Sequence, residues 1–280
     1  MLNVNLFDNN FYHSKEESGF FTSTYKYKPT RLQYLDRLMD YDGITLFTDD
    51  FIFDPVVDRV SSRLKIAWLF EPPCFSNYYQ RILEVEDKFD YILTYDENLL
   101  KRSPKYLKYI VGQSRVVGDD AQLYQKTRKI SMIASHKTTS VGHNFRHEII
   151  KELQPRYEFD VWGSGYRPFV DKLEPLRDYQ WSICVMNSWS ANFFTEVLVD
   201  CIRTGTIPIF WGCPNIGDYF NSGGIHHFRT MRDLEGILNV IEQKPEYAYK
   251  MFSPPLAENF EKAEKYIHTD DFIAKILDKL

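Results

Sequence analysis

The stretch NSWSANFFTEVLVDCIRTGTIPIFWG, residues 187–212, shows the unit from which the fold is built. It begins where one apolar strand pattern ends and closes on a second, TIPIFWG at 206–212. A helical pattern connects the two strands, opening near Asn192 and ending near Gly205, a residue type that commonly stops a helix. A strand, a helix and a further strand in this order predict a βαβ unit with parallel strands.

The start of that helix is the first candidate for a ligand site. The pattern predicts a first turn of Phe193, Phe194, Thr195 and Glu196, directly after the carboxyl end of a parallel strand. Free backbone N–H groups and the positive end of the helix dipole meet there and attract phosphate. A carboxylate in the same turn can accept two hydrogen bonds from a ribose diol. Glu196 therefore indicates either a nucleotide site or a residue that only stabilises the helix dipole.

The same alternation of strands and helices continues along the whole chain. It predicts an α/β protein with two Rossmann-like lobes on parallel sheets, facing a central cleft where a ligand binds. Strands are predicted at 2–8, 43–49, 65–71, 91–96, 109–117, 130–136, 157–163, 181–187 and 206–212. Helices are predicted at 30–40, 55–63, 77–88, 97–107, 143–153, 171–178 and 193–204, and in three segments past residue 228 that Pro254-Pro255 interrupts.

The division into domains follows from the most polar link, GDDAQLYQKTRK at 118–129. We expect a first lobe at 1–125, a second lobe at 126–262 and a C-terminal helix at 263–280 that packs on the first lobe. A chain of 280 residues is long enough for two such lobes.

Composition and charge restrict the class of protein. Hydrophobic residues make up 44% and charged residues 26%, as in soluble globular proteins, and the net charge of −5 argues against a nucleic-acid partner. The four cysteines have no metal-binding spacing, which favours reduced thiols. The sequence shows neither a signal peptide nor an apolar run of transmembrane length. We therefore expect a cytoplasmic protein, with peripheral contact to a membrane left open.

The segment NSWSANFFTEVLVDCIRTGTIPIFWGCPNIGDYFN, 187–221, resembles the donor-binding motif of the family 10 glycosyltransferases, the α1,3/4-fucosyltransferases. DVWGSGY at 160–166 and SHKTTSVGHNFRHEIIKEL at 135–153 support this resemblance. It implies a GT-B-like fold with an acceptor-binding lobe followed by a nucleotide-sugar lobe. The implied activity is inverting transfer of fucose, or a related sugar, from a GDP-sugar to a hydroxyl of a glycan.

The resemblance also implies roles for individual residues. Asn187 and Glu196 match the residues that hold the nucleotide, with Glu196 on the ribose. Arg146 matches the arginine of the pyrophosphate, a role that its planar guanidinium suits. Phe193 and Thr195 belong to the donor-binding helix end, and Phe193 stands where the family has an aromatic residue.

Two positions depart from the family pattern. Val197 stands where the family has a lysine, and Met186 replaces an acidic residue. Lys137, at the end of the preceding predicted strand, is a candidate for the missing positive charge. These departures leave alternatives open: a transferase for another GDP-sugar or for a different nucleotide sugar such as a UDP-sugar, or a catalytically impaired nucleotide-sugar- or glycan-binding protein.

A candidate for the catalytic base lies in the first lobe. Glu71 ends a predicted strand in KIAWLFEPPCF and precedes the rigid corner Pro72-Pro73. An inverting transfer needs a carboxylate that removes the proton of the acceptor hydroxyl. FEPP also resembles the family's Phe-Glu-Ser-Pro segment, whose glutamate is taken as that base.

No metal or cofactor is expected. Asp40-x-Asp42 precedes a strand and is explained by a turn, and His143 with His147 has no third ligand in view. GSGY at 163–166 does not fit the dinucleotide pattern G-x-G-x-x-G. We expect Arg146 and the helix end to stabilise the leaving diphosphate. The predicted partners are a nucleotide sugar and a glycan acceptor.

Overall fold

The computed structural model describes residues 1–8 and 30–280 of the chain. They form two compact units, residues 1–111 together with 268–280, and residues 112–267. Each unit is built on one sheet in which every pair of neighbouring strands is parallel. The predicted α/β class is therefore confirmed.

The first unit has a six-stranded sheet in the order β2-β1-β3-β4-β5-β6. Its central strands are buried over their carboxyl-terminal halves, as expected for a parallel sheet that is covered on both faces there. The strands are Leu2–Phe7 (β1), Leu32–Asp36 (β2), Asp40–Thr48 (β3), Ser61–Trp68 (β4), Tyr91–Thr94 (β5) and Tyr106–Lys108 (β6). The helices are Val56–Arg59 (α1), Tyr78–Val85 (α2) and Glu97–Arg102 (α3).

The second unit has a five-stranded sheet in the order β11-β10-β9-β7-β8. The chain goes from β7 to β8 on one side and then crosses to β9 on the other, so the direction of winding reverses between β7 and β9. The strands are Arg128–Ile133 (β7), Asp160–Trp162 (β8), Tyr179–Val185 (β9), Ile207–Trp211 (β10) and His226–His227 (β11). The helices are Val141–Leu153 (α4), Glu196–Arg203 (α5), Met231–Gln243 (α6) and Pro245–Ala263 (α7).

The helix of the opening stretch, α5, joins parallel strands β9 and β10 as predicted. It begins at Glu196 rather than near Asn192, because Thr195 has extended backbone and caps the helix by accepting a hydrogen bond from Val197 N at 3.5 Å. Phe193 and Phe194 therefore lie in the preceding loop. Gly205 ends the helix at φ +67°, where its N–H bonds the carbonyl of Ile202 at 3.0 Å, as the sequence predicted.

Three predicted segments of secondary structure were wrong. The helix at 30–40 is instead strand β2, because Leu32 and its neighbours pair with β1 and this tertiary pairing outweighs local propensity. The strand at 109–117 does not form, because Gly112 N and Ser114 N bond to non-strand carbonyls, those of Phe194 and Ile267. The segment 171–178 is a series of turns, since Pro175 removes a donor that a helix would need.

The predicted break at Pro254-Pro255 is also wrong, because α7 continues through both residues. The Ser253 hydroxyl donates to the Tyr249 carbonyl at 2.6 Å, one turn before it in the helix. Gly224 lies so close to this helix that a Cβ there would stand 2.8 Å from Leu256 N. Packing on the glycine turn thus keeps a helix that sequence rules would interrupt.

The two units divide at Val111/Gly112, ahead of the predicted boundary at 125/126. Residues after Gly112 bond to the second unit: Ser114 Oγ donates to Asp200 at 2.8 Å, and Gln122 N donates to the Arg203 carbonyl at 3.1 Å. The polar stretch that looked like a linker is therefore tied to α5. The roles of acceptor lobe and donor lobe stay predictions.

The C-terminal helix, Thr269–Leu277 (α8), packs on the first unit. Tyr34 of β2 donates its hydroxyl to Asp270 at 2.8 Å, and the backbone N–H groups of Thr30 and Arg31 donate to Asp271 at 3.0 Å. Burial beside Asp270 raises the pKa of Tyr34. These contacts explain why the last residues belong to the first unit rather than to the second.

Candidate functional site

A cavity of about 590 Å³ lies within the second unit. It is lined by the end of β7 at 133–135, by residues 163–166 and 168–169 after β8 and by 196–197 at the start of α5. These segments meet at the carboxyl ends of β7, β8 and β9, where the direction of winding reverses. Open α/β sheets bind their ligands at this place, and the volume is that of a small-molecule site.

Arg146 of α4 lies in the wall of the cavity and is only 8% exposed. Its Nε donates to the carbonyl of Val185 at 3.0 Å, and its Nη2 donates to the same carbonyl and to Asn187 Oδ1, the latter at 3.2 Å. Burial lowers the pKa of Arg146 to about 10, opposed by the nearby carboxylate of Glu196. The guanidinium therefore stays charged at neutral pH and is held in one orientation at the end of β9.

A glycine makes this position of α4 available. A Cβ on Gly142 would stand 1.7 Å from the carbonyl oxygen of Met186, so only glycine lets the first turn of α4 approach the end of β9. Ser140 caps the helix by accepting a hydrogen bond from His143 N at 3.1 Å. The cap and the close approach together place Arg146 one turn further on, beside the cavity.

Glu196 lines the cavity as the first residue of α5. Within the part of the chain that the structure describes, its carboxylate accepts no hydrogen bond, so both oxygens are available to a ligand. Val197 follows it in the cavity wall and offers only an apolar side chain. The predicted pair Arg146 and Glu196 is thus brought together on one cavity.

The loop after β8 supplies residues that the sequence reasoning missed. Gly163 has φ +121°, and a Cβ there would stand 2.0 Å from the carbonyl oxygen of Ala134, so the loop can lie against the end of β7. Tyr166 lines the cavity, and its hydroxyl bonds His147 Nδ1 at 2.9 Å. The signal was present in the sequence as glycines directly after a predicted strand.

Lys172 is the second missed residue of the cavity wall. Its Nζ lies 3.7 Å from Asp200 Oδ2 of α5, and its side chain is 11% exposed. The sequence placed Lys172 in a predicted helix far along the chain from Glu196. Only the tertiary fold, which folds the turns after β8 over the start of α5, brings the two into one wall.

The other predicted donor-site residues lie outside the lining of this cavity. Asn187 orients Arg146, and Thr195 caps α5. Phe193 is 3% exposed and packs in the interior. Lys137 is exposed, and its backbone carbonyl bonds His147 Nε2 at 3.0 Å. Their roles in binding a donor stay predictions.

Glu71 belongs to the first unit and is half-buried. Strand β4 ends at Trp68, so Glu71 lies in the following loop rather than at the strand end. The backbone N–H groups of Phe70 and Glu71 both donate to Asp49 Oδ1 at 3.2 Å. Asp49 is buried, with φ +42°, and fixes the backbone on which Glu71 is carried. The role of Glu71 as a base stays a prediction.

Residues 1–8 and 30–280 contain no group of three or more His, Cys, Asp or Glu side chains placed to hold a metal ion. No helix in this part of the chain has the length and apolar character needed to cross a membrane. The four cysteines all lie within the described residues and form no disulfide, and Cys184, Cys201 and Cys213 are buried.

Solved structures with the same fold are glycosyltransferases. An α1,3-fucosyltransferase crystallised with GDP-fucose has a TM-score of 0.60 at 15% identity, covering 99% of this chain and 90% of its own. A pneumococcal O-GlcNAc transferase in complex with UDP and GlcNAc has a TM-score of 0.53 at 14% identity, over 84% of this chain and 56% of its own. These similarities confirm the predicted GT-B-like fold.

The sequence of the second unit is similar to one known family. Residues 123–254 match the model of glycosyltransferase family 10 (fucosyltransferase), C-terminal part, which confirms the predicted resemblance. A fucosyltransferase-like protein of Arabidopsis thaliana is 29% identical over 101 residues, 34% of this chain and 20% of that protein. The α-(1,3)-fucosyltransferase FucT of Helicobacter pylori is 25% identical over 158 residues, 52% of this chain and 31% of that protein. The chain thus spans less than a third of the length of each of these curated relatives.

Proposed function

We propose that this protein is an inverting glycosyltransferase that moves fucose, or a related sugar, from a GDP-sugar to a hydroxyl of a glycan. The observation that carries the proposal is the meeting of Arg146 and Glu196 on one cavity at the winding reversal of the unit that matches family 10. A fixed cation can bind the phosphates of a nucleoside diphosphate, and a carboxylate with both oxygens available can accept hydrogen bonds from its ribose.

The diphosphate is proposed to bind at Arg146 and at the start of α5, where the positive end of the helix dipole lies. Hydrogen bonds to Val185 and Asn187 hold the guanidinium before the ligand arrives, and its Nη1 bonds no acceptor in the described part of the chain. A charge fixed in this way stabilises the leaving diphosphate without reorganising during the reaction. Glu196 accepts hydrogen bonds from the ribose hydroxyls.

Glu71 is the proposed base. As its carboxylate takes the proton of the acceptor hydroxyl, the acceptor oxygen forms a bond to the anomeric carbon of the sugar. The bond from that carbon to the diphosphate oxygen breaks, and GDP leaves with the electron pair. A single displacement of this kind inverts the configuration of the anomeric carbon. No metal is part of the proposal, since Arg146 and the helix end carry the leaving charge.

The substitution Glu71→Gln tests the role of the base, because glutamine keeps the shape of the side chain and cannot take the proton. We expect transfer from GDP-fucose to fall by about 10²- to 10⁴-fold, the usual contribution of a general base. The dissociation constant of GDP, measured by calorimetry, should not change. Transfer at the wild-type rate by the glutamine variant would remove Glu71 from the mechanism.

A binding protein without catalysis is the second candidate, because Val197 and Met186 depart from the family pattern in the donor motif. A UDP-sugar donor is a further alternative, since the pneumococcal neighbour was crystallised with UDP. Thermal shift with GDP, UDP, CMP and ADP, each with and without EDTA, separates the donors because only a ligand of the folded state raises Tm. Binding of a GDP-sugar with neither transfer nor hydrolysis would favour the binding protein.

A further inference from the structure

The cavity wall carries two cationic side chains among its described residues, Arg146 and Lys172. A diphosphate has more negative charge than one guanidinium neutralises. Arg146 already shares its Nε and Nη2 with the carbonyl of Val185. The other wall residue at the start of α5, Val197, cannot contribute a charge. Lys172 is therefore the group from which further positive charge would come.

The ammonium of Lys172 is held at the cavity wall by an ion pair that leaves its hydrogen-bond donors available. Its 3.7 Å separation from Asp200 Oδ2 is an ion pair and too long for a hydrogen bond. In residues 1–8 and 30–280 the ammonium makes no hydrogen bond, so its three N–H donors remain for a ligand. With only 11% of the side chain exposed, little water competes for them.

Hydrogen bonds to one oxygen of Asp200 leave its other oxygen toward Lys172. Asp200 is fully buried, one turn beyond Glu196 on α5. Its Oδ1 accepts hydrogen bonds from Ser114 Oγ at 2.8 Å, Arg115 N at 2.6 Å and Val116 N at 3.2 Å. Oδ2 accepts none of these and lies toward Lys172. Burial raises the pKa of Asp200, and Lys172 acts against this shift by stabilising the charged carboxylate.

We propose that Lys172, positioned by Asp200, is the second diphosphate-binding cation of this protein and replaces the charge that is missing at Val197. The proposal rests on the proposed function, because it assumes that the cavity takes a nucleoside diphosphate. It differs from the sequence-based expectation for Lys137, which is exposed and lies outside the cavity lining.

The test compares Lys172→Met with the wild type in calorimetric binding of GDP, GMP and guanosine. A charge-assisted hydrogen bond that is lost weakens binding by about 10- to 100-fold, so GDP affinity should fall by this factor. Guanosine affinity should not change, because guanosine has no phosphate. Lys151→Met, which removes an exposed lysine of the same α4 helix that carries Arg146, is the matched control and should bind GDP normally.

A rescue keeps the test informative if the single variant is unstable. In the double variant Lys172→Met with Val197→Lys, a lysine returns to the same wall from α5, and GDP affinity should recover. Lys172→Arg keeps the charge and should retain most of the affinity. Circular dichroism establishes that each variant is folded.

Three outcomes overturn the inference. The first is a folded Lys172→Met protein that binds GDP as tightly as the wild type, whatever the GDP affinity of Lys137→Met. The second is an equal loss of GDP and guanosine affinity, which would show damage to the cavity rather than loss of a phosphate contact. The third is a wild-type protein that binds no nucleoside diphosphate. Of the three outcomes, only this one also overturns the proposed function.

Discussion

The cavity of the second unit and the Glu71 loop of the first are built in different ways, although both follow parallel strands. The cavity draws its residues from the end of β7, from α4, from the turns after β8 and from the start of α5. Contacts between elements hold its side chains: Arg146 is hydrogen-bonded to the end of β9, and Lys172 is ion-paired to α5. In the first unit, two backbone N–H groups bonded to Asp49 hold a single loop. The difference indicates that the proposed donor site is set by the fold itself, whereas the proposed base depends on one short loop.

The same contrast appears in the comparisons. The family model matches 123–254, which lie in the second unit, and the first unit contributes to the resemblance through short segments such as FEPP. A site assembled from several elements constrains many residues, because each element must pack to bring its side chain to the wall. A site on one loop constrains few.

The largest effect is expected from Gly163→Ala, which attacks the cavity wall through its backbone. The new Cβ would stand 2.0 Å from the Ala134 carbonyl oxygen at a φ of +121°, so the loop must move. We expect a loss of about 3 kcal/mol in the free energy of unfolding and weakened GDP binding. Urea unfolding followed by tryptophan fluorescence measures the loss, and it reports mainly on the second unit, where Trp162, Trp181, Trp189 and Trp211 lie.

Gly236→Ala is the matched control within the same unit. Gly236 is an exposed residue inside α6, and nothing lies within 4 Å of a Cβ at this position. Alanine should therefore raise the free energy of unfolding by about 0.5–1 kcal/mol, because it favours the helix. Equal losses in the two variants would contradict the conclusion that Gly163 is required by a close approach rather than by chain flexibility.

Residues of this site could be predicted from the sequence where a local pattern or the family resemblance determines their position, and could not where tertiary packing determines it. The βαβ unit around α5 could be predicted because its strands are apolar and Gly205 ends the helix. The resemblance to the donor motif indicated Arg146 and Glu196. Lys172 could not be predicted, because its position depends on turns around Pro175 whose sequence pattern is that of a helix. No local pattern indicates which lysine lies next to the buried Asp200.

The same limit applies to the fold. Strand β2 exists because Leu32 and its neighbours pair with β1, a contact that short-range patterns do not contain. Helix α7 passes through Pro254 and Pro255 because the helix packs closely on Gly224. In each case a tertiary contact outweighs a local rule, and local rules were all that the sequence supplied at these places.

An intermediate effect is expected from Asp49→Ala, which removes the acceptor shared by Phe70 N and Glu71 N. Asp49 is a positioning residue, so we expect kcat of transfer to fall about tenfold, equivalent to a hydrogen-bond loss of about 1–1.5 kcal/mol, with GDP affinity unchanged. Asp49→Asn keeps an acceptor oxygen and tolerates the positive φ, so it should restore most of the activity. A loss that the asparagine variant shares would show that the charge of Asp49, not its position, is required.

A further effect is a pH dependence of stability in the second unit. His226 stacks on Phe252 with ring centroids 3.6 Å apart, and burial lowers its pKa to about 4 from the ordinary 6.5. Between pH 6.5 and pH 4 the unfolded chain binds a proton that the folded chain does not, so the free energy of unfolding falls as the pH drops through this window. One pKa unit corresponds to about 1.4 kcal/mol, so the shift predicts a loss of up to about 3 kcal/mol, measured by urea unfolding at a series of pH values. His226→Phe should flatten this dependence, while His136→Gln, at an exposed position, should leave it unchanged.

An unaltered slope in His226→Phe would assign the proton uptake to other groups, foremost His143. Burial and the charge of Arg146 also lower the pKa of His143 to about 4.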